Sequence, residues 1–321
     1  RRISPLINPP IFSFIEWEYI HFTGDTERIK NNFEKLVNYF QWIETNLVSE
    51  QNPNLYYNTL LGSGMDNSPR SSLNKKSCWI DMSSQQALSA LLLAKISKLL
   101  NNQEKENYFL NRYNEIKNCI NNLCWNNEKN FYFDIKDDST HLIKKTCAGF
   151  WPLIAQIPSA ETVEKIVSHI YNPDEFFRKN VVPTLSADEE EFFKEGWYWR
   201  GGVWSQINYI IFEGLKNYNY FYLPYILTKR NLKNIVDVYY NFEAEQEKMS
   251  PTERDHYKNT FWESYAPDYE KPSTRWDNIY YCKPNFVGWT ALTIINMFIK
   301  NILGFDFNGL ANTIKLRIFE I

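Results

Sequence analysis

The stretch Ser63-Gly64-Met65-Asp66-Asn67-Ser68-Pro69-Arg70 places a carboxylate, an amide and a guanidinium close together in the chain. Gly64 allows backbone conformations that are closed to other residues, and Pro69 prevents a helix from running through the stretch. Asp66 is therefore predicted to lie on a rigid loop and not on the face of a helix. A carboxylate in that position either closes a turn or is a functional group.

The composition argues against several classes of function. The chain has 321 residues and a net charge of −3, and it lacks the basic patch that binding to nucleic acid or to an anionic membrane needs. Aromatic residues make up 17% of the chain, with 11 Trp. Such rings suit sugar sites, because they cover the C–H face of a pyranose while neighbouring polar groups bind its hydroxyls. The alternative is a large aromatic core, which must account for most of the Trp and Phe residues.

Metal chemistry and a membrane span find no support in the sequence. The five Cys show no Cys-x-x-Cys motif and the four His are scattered, so neither a metal site nor a Ser-His-Asp triad is predicted, and no cofactor is expected. No apolar run reaches the ~18 residues of a membrane-spanning helix.

Apolar residues at helical spacing predict a chain of paired helices. They cover about 11–22, 26–45, 84–100, 104–123, 147–156, 160–171, 203–216, 219–248 and 287–303, and a strand is predicted over 313–320. Ser83 is predicted to cap the third helix. The fourth helix is predicted to turn Tyr108, Tyr113, Ile116 and Ile120 inward. Long segments at about 46–81, 172–201 and 250–285 separate the pairs, which indicates a helical toroid with its loops at one mouth.

Two downstream loops again combine aromatic and polar residues. They are Tyr198-Trp199-Arg200-Gly201-Gly202-Val203-Trp204 and Phe261-Trp262-Glu263-Ser264-Tyr265-Ala266-Pro267, and the stretch Lys283-Pro284-Asn285-Phe286-Val287-Gly288-Trp289 follows them. Hydrolysis of a glycosidic bond needs two carboxyl groups, one to protonate the leaving oxygen and one to activate water or attack directly. Asp66 and Glu263 are far apart in the sequence, so only the fold can bring them together.

Together these motifs resemble glycoside hydrolase family 63 and its mannosylglycerate-hydrolase-like and trehalase-like relatives. The resemblance implies an all-α fold of the (α/α)6 toroid type with a short C-terminal strand. Residues 1–321 would then form one catalytic domain, and the rest of the ring is expected upstream of Arg1. The resemblance also implies that Asp66 is the general acid, that Glu263 is the general base and that hydrolysis inverts the anomeric configuration. Asp66 must then be protonated near neutral pH, so its pKa is expected to be raised.

The candidate substrate-binding residues lie in the same motifs, and they are Asn67, Arg70, Trp199, Arg200, Trp204, Tyr265 and Trp289. Several have a structural alternative. Asn67 can bind a hydroxyl or close an Asx-turn, and Arg70 can bind substrate or pair with a carboxylate. Arg200 can stack on Trp199 or Trp204, and Trp204 and Trp289 can belong to the core.

The sequence therefore predicts an inverting α-glycosidase that hydrolyses an α-glucoside or a similar small α-linked oligosaccharide. Gly62 and Asn8 stand where many relatives carry Glu and Gln, so a trehalase-like or mannosylglycerate-hydrolase-like specificity stays open. A catalytically silent carbohydrate-binding toroid is a further alternative. No nucleic-acid partner is expected, the oligomeric state is left open, and a periplasmic or extracellular location in a bacterium is the favoured expectation.

Overall fold

The computed structural model describes residues 7–70, 77–252 and 257–319, which are mainly helical. The helices are α1 (Phe12–Thr23), α2 (Glu27–Asn46), α3 (Leu60–Ser63), α4 (Ile80–Leu99), α5 (Gln103–Leu123), α6 (Trp151–Ile154), α7 (Ala160–Tyr171), α8 (Ser205–Lys216), α9 (Tyr222–Asn241) and α10 (Leu292–Met297). The π-helical turns Val287–Ala291 and Phe298–Ile302 extend α10 at both ends, and the three segments together are called the final helix below. Among the described residues, no helix has the length and apolar character needed to cross a membrane.

Within the described residues, seven short strands form three small antiparallel sheets with the orders β1-β4-β5, β2-β3 and β6-β7. The strands are β1 (Ser77–Cys78), β2 (Trp125–Asn126), β3 (Phe131–Tyr132), β4 (Asp134–Lys136), β5 (His141–Leu142), β6 (Phe305–Asn308) and β7 (Thr313–Leu316). The predicted C-terminal strand is confirmed at Thr313–Leu316, where Phe305 pairs with Leu316. Of the predicted strand range, position 320 lies outside the described residues. The other two sheets were not predicted beyond an extended piece near Phe131.

Five helices pack in succession and form the inner layer of the protein. α1 contacts α4, α4 contacts α6, α6 contacts α8, and α8 contacts the final helix. The helices α2, α5 and α9 pack against members of this layer from outside. α4 is buried around nearly its whole circumference, as expected for a helix that carries small and apolar residues on all sides.

Two predictions around α4 and α5 are wrong. Ser83 does not cap a helix, because α4 begins earlier, where Asp134 accepts a hydrogen bond from the Ile80 N–H at 2.8 Å. The Ser83 hydroxyl instead accepts a hydrogen bond from the backbone N–H of Tyr56, in the loop before α3. Of the four α5 residues predicted to face inward, Tyr108 is exposed, and its neighbour Phe109 is fully buried in its place. The reason is that Phe109, and not Tyr108, continues the helical spacing of the buried apolar residues further along α5.

The two ends of the inner layer leave apolar side chains exposed. The final helix exposes Val287, Leu292, Ile295 and Phe298, and α1 exposes Phe12 and Ile15. The β6-β7 hairpin packs on both of these helices. Gly24, which ends α1 with a φ of 73°, permits this contact, because a Cβ there would lie 2.6 Å from the Gly309 carbonyl oxygen.

Candidate active site

Asp66 projects from a tight turn that follows α3. The Ser68 N–H donates to the Met65 carbonyl oxygen at 3.0 Å, and both of these flanking side chains are buried. Asp66 lies at the corner of the turn and is exposed, so its position on a rigid loop is confirmed. Neighbouring protein atoms nevertheless displace enough water to raise the pKa of its carboxyl group, which is the predicted direction.

Arg70 anchors the turn to the core and is not available to a substrate. Its side chain is 1% exposed, and it forms ion pairs with Asp81 at 2.9 Å and with Asp134 at 2.5 Å. Its Nε donates a further bond to Asp134 at 2.8 Å, and its guanidinium lies 4.2 Å from the ring centroid of Trp79. The prediction that Arg70 binds substrate is therefore corrected, since two buried carboxylates already occupy its donors.

Asn67 connects the turn to the loop before α8. Its side-chain amide donates to the Trp197 carbonyl oxygen at 3.2 Å and accepts from the Trp199 N–H at 2.9 Å. Its own carbonyl oxygen accepts from Arg200 Nε at 3.0 Å. The guanidinium of Arg200 stacks on Trp197, at 4.6 Å from its ring centroid. The alternative that it stacks on Trp199 or Trp204 is therefore not the arrangement found. The sequence suggested that Asn67 binds a substrate hydroxyl or closes an Asx-turn. In the structure its side chain instead connects two loops.

A glycine shapes the same loop. Gly201 has a φ of 112°, and a Cβ there would lie 2.7 Å from the Phe193 carbonyl oxygen. Tyr198 also has a positive φ, of 52°. This backbone turns back on itself, because the Gly202 N–H donates to the Tyr198 carbonyl oxygen at 3.0 Å. Because of this turn, the Tyr198 side chain bonds to Glu263, while the peptide groups of Trp197 and Trp199 bond to Asn67.

Glu263 is held in place by contacts with three separate segments of the chain. Its neighbour Tyr265 exchanges two backbone hydrogen bonds with Val203, at 2.8 and 3.0 Å. The Glu263 N–H donates to the Lys283 carbonyl oxygen at 2.9 Å, and the Thr290 hydroxyl donates to the Glu263 carbonyl oxygen at 3.1 Å. The side chain is 6% exposed. These contacts fix the backbone from which the carboxylate projects.

Tyr198 bonds to Glu263, and it lies on the loop to which the turn of Asp66 is attached through Asn67. Its hydroxyl donates to Glu263 Oε1 at 3.4 Å, and the Lys283 N–H points at Oε2 from the same distance. Burial raises the pKa of Glu263, and Asp66 adds to that increase. Burial, Glu263 and Asp66 together raise the pKa of Tyr198. The loops of Asp66 and Glu263 are therefore close enough to act on one phenol group.

The predicted aromatic residues form a layered stack. Trp199 lies flat on Trp204, with ring centroids 4.2 Å apart and planes 11° apart, and Trp204 contacts Trp289 at 6.0 Å. Trp204 and Tyr265 are both buried, and the Tyr265 hydroxyl accepts a hydrogen bond from the Trp262 N–H. These two predicted substrate contacts therefore belong to the core. Trp289 is 40% exposed and stays a candidate for contact with a ligand.

Three residues of the site were missed by the sequence analysis. Tyr198 stood inside a recognised motif, but its pattern gave no reason to single it out from the neighbouring aromatics. Lys283 acts through its backbone, and Asp134 comes from a short strand without a motif of its own. In the described parts of the chain, no group of three or more Cys, His, Asp or Glu is placed to hold a metal ion.

Comparisons with known proteins place the chain among glycoside hydrolases. The family model described as "Mannosylglycerate hydrolase MGH1-like glycoside hydrolase domain" matches residues 2–277, so the chain belongs to this family. The resemblance to glycoside hydrolase family 63 and its mannosylglycerate-hydrolase-like relatives is thereby confirmed.

Two relatives align with most of the chain. An uncharacterized protein of Borreliella burgdorferi is 28% identical over 92% of this chain and 59% of its own length. The mannosyl-oligosaccharide glucosidase of Saccharomyces cerevisiae is 24% identical over 87% of this chain and 35% of its own length. The chain thus spans less than two thirds of the length of either relative.

Solved structures share the fold. The GH63 mannosylglycerate hydrolase from Thermus thermophilus, determined in complex with glucose, superposes with a TM-score of 0.68 at 18% identity. The match covers 92% of this chain and 76% of that chain. A sialidase superposes with a TM-score of 0.71 at 14% identity, over 90% of this chain and 25% of that chain.

Proposed function

We propose that this chain carries the catalytic machinery of an inverting α-glycosidase, with Asp66 as the general acid and Glu263 as the general base. The observation that carries the proposal is that two carboxyl groups remote in sequence are tied to one loop: Asn67, next to Asp66, bonds to Trp197 and Trp199, and the hydroxyl of Tyr198 between them bonds to Glu263. Both carboxyl groups have a raised pKa because of their surroundings. Paired titratable groups with perturbed pKa values are typical of catalytic sites.

The hydrogen bonds of the two carboxyl groups support this division of roles. The hydroxyl of Tyr198 and the backbone N–H of Lys283 both stabilise the ionised form of Glu263 and oppose the effect of burial on its pKa. Burial raises the pKa of Asp66. Glu263 is therefore the better candidate for the ionised base, and Asp66 for the group that keeps its proton.

The reaction then follows the inverting scheme. Glu263 takes a proton from a water molecule as the water oxygen bonds to the anomeric carbon. The bond from that carbon to the leaving oxygen breaks, and Asp66 gives its proton to the leaving oxygen. The two carboxyl groups exchange protonation states, and solvent restores them.

The surroundings offer groups that suit a sugar. The indole N–H of Trp199 is buried and has no hydrogen-bond partner among the described residues, so a ligand hydroxyl would satisfy it. Trp289 adds an exposed aromatic surface beside the stack. Asn67 and Arg200 are proposed to shape the pocket through the contacts between their loops, and Trp204 and Tyr265 to support it from the core.

The substrate is proposed to be an α-linked glucoside or mannoside. Relatives bear the names mannosyl-oligosaccharide glucosidase and mannosylglycerate hydrolase, which include both sugars. Two carboxyl groups would hydrolyse a glucoside and a mannoside by the same chemistry, so they do not distinguish the two sugars. The leaving group is therefore the part of the substrate on which the site is more informative.

The fold is proposed to be an (α/α)6 toroid, with residues 1–321 belonging to its one catalytic domain. Five inner helices that contact one another in succession, with further helices outside them, support this arrangement. The exposed apolar residues of α1 and the final helix are those that a sixth inner helix would cover. The GH63 structure extends beyond the matched part, which leaves length for such a helix.

The proposal is tested with two variants and a matched control. Asp66→Asn should lower kcat/KM for an α-linked disaccharide by about 10²–10⁴-fold and should spare the corresponding glycosyl fluoride, because fluoride leaves without a proton. Glu263→Gln should lose both activities. Asp138→Asn, on an exposed loop, should lose neither.

Proton NMR of the first-formed product tests the stereochemistry. The β-anomer should appear first from an α-linked substrate, because water attacks from the face opposite the leaving group. An α-anomer in the first spectra would make Glu263 or another carboxylate a nucleophile. A wild-type protein that binds disaccharides and hydrolyses none of them would favour the catalytically silent toroid.

A further inference from the structure

An exposed tryptophan lies at the tip of a short hairpin beside the candidate site. The hairpin runs from Thr274 to Tyr281, which form an antiparallel bridge, and the Arg275 N–H donates to the Tyr280 carbonyl oxygen at 2.9 Å. Trp276 occupies the turn and is 61% exposed. Its indole N–H makes no hydrogen bond with the described residues. A large aromatic surface in this position costs hydrophobic free energy unless something covers it.

The hairpin is bonded directly to the loop that carries Tyr198. The Tyr198 N–H donates to the Thr274 carbonyl oxygen at 2.9 Å, and the Thr274 N–H donates to the Gly196 carbonyl oxygen at 2.9 Å. The indole N–H of Trp197 donates to the Trp276 carbonyl oxygen at 2.9 Å. Trp276 is thus attached to the same backbone that orients the phenol against Glu263.

The same contacts place the hairpin on the side of the acid. Trp197 binds Trp276 through its indole and Asn67 through its carbonyl oxygen, and Asn67 is the neighbour of Asp66. Two hydrogen bonds therefore separate the turn of the acid from the tip of the hairpin. The general acid acts on the leaving oxygen, so the surface next to it receives the leaving group.

We propose that Trp276 is the stacking platform of an outer subsite, and that the leaving group it binds is a second sugar ring. This inference rests on the function proposed above. The indole presents an apolar surface to the C–H face of a pyranose and an N–H to one of its hydroxyls.

Arg200 supplies the polar side of the subsite. Its Nε is taken by Asn67 and its guanidinium face lies on Trp197, but its terminal nitrogens make no hydrogen bond with the described residues. These nitrogens can donate to the hydroxyls of a ring that rests near Trp276. A small carboxylic acid as leaving group would use Arg200 alone, and the two kinds of leaving group are distinguishable by experiment.

The test compares two substrates that share the sugar that is cleaved. One is the most rapidly hydrolysed member of a panel of α-linked glucose and mannose disaccharides, and the other is the glycosyl fluoride of its non-reducing sugar. Trp276→Ala should lower kcat/KM for the disaccharide about tenfold and leave the fluoride unchanged, because fluoride does not reach the outer subsite. Trp276→Phe should restore most of the loss. Trp42→Ala on α2, another partly exposed Trp at 36%, is the matched control and should affect neither substrate.

An equal effect of Trp276→Ala on both substrates, or no effect on either, would overturn the inference. The inference would also be overturned if activity fell only in Arg200→Gln and only with glycosides of small carboxylic acids. The leaving group would then be a carboxylic acid and not a sugar.

A binding measurement separates this inference from the proposed function. NMR titration of the Asp66→Asn protein with the same disaccharide panel should show weaker binding when Trp276→Ala is added. If the wild type hydrolyses nothing but this difference in binding is present, the proposed function fails and the subsite stands. If the wild type is active and Trp276→Ala binds as well as its parent, the subsite alone fails.

Discussion

Replacing Arg70 by methionine would leave two carboxylates inside the protein without a cation. The guanidinium binds Asp81 through both terminal nitrogens at 2.9 Å and Asp134 at 2.5 and 2.8 Å, with almost no exposure to solvent. Removing one partner from a buried ion pair costs about 3–5 kcal/mol, because the remaining charge stays buried and uncompensated. We expect Arg70→Met to lower the free energy of unfolding by that amount at pH 8.

The loss should be smaller at pH 5 than at pH 8. Burial raises the pKa of Asp134 in the folded protein even though Arg70 opposes it. A carboxyl group whose pKa is raised on folding binds its proton more tightly in the folded state, so stability from this group falls as pH rises. Without Arg70 the pKa of Asp134 rises further, and protonation then relieves the buried charge at a higher pH.

Urea unfolding followed by tryptophan fluorescence measures the effect at both pH values. The control is Lys30→Met, which removes an exposed ion pair with Glu27 and should cost no more than about 1 kcal/mol. If Arg70→Met costs no more than this control, the buried pair does not stabilise the turn. If it leaves stability intact but weakens sugar binding, Arg70 is a substrate ligand after all.

Two further predictions concern the loop before α8. Tyr198→Phe removes the hydroxyl that lowers the pKa of Glu263, so the acidic limb of the pH profile of kcat/KM should move to higher pH, and an unshifted limb would contradict the contact. Trp199→Ala should cost about 3–5 kcal/mol of stability in a urea titration, because the ring is buried against Trp204, and an unchanged stability would contradict this packing.

The positions of most helices were predictable because their apolar residues repeat at helical spacing over several turns. The loop position of Asp66 was predictable for a different reason, since Gly64 and Pro69 restrict the backbone on both sides of it. The start of α4 was not predictable from the sequence, because the carboxylate that caps the helix belongs to Asp134, on a distant strand. Contacts of that kind leave no trace in the local sequence.

The division of the aromatic residues between pocket and core also lay beyond the sequence. Trp199, Trp204 and Trp289 occupy similar motifs, yet one stack buries the first two and leaves the third exposed. Arg70 shows the same limit, because a guanidinium beside a candidate acid fits a substrate role until Asp81 and Asp134 are placed against it.

The turn that carries Asp66, the proposed acid, is held by residues that have no part in the proposed chemistry. Arg70 fixes the turn to buried carboxylates on one side, and Asn67 fixes it to the Trp197–Arg200 loop on the other. Asp66, between them, is the exposed member of the turn. Preorganisation lowers a barrier only when the reacting group is held before the substrate arrives. The same backbone that receives Asn67 also carries Tyr198 to Glu263, so one loop sets the position of the proposed acid relative to the proposed base.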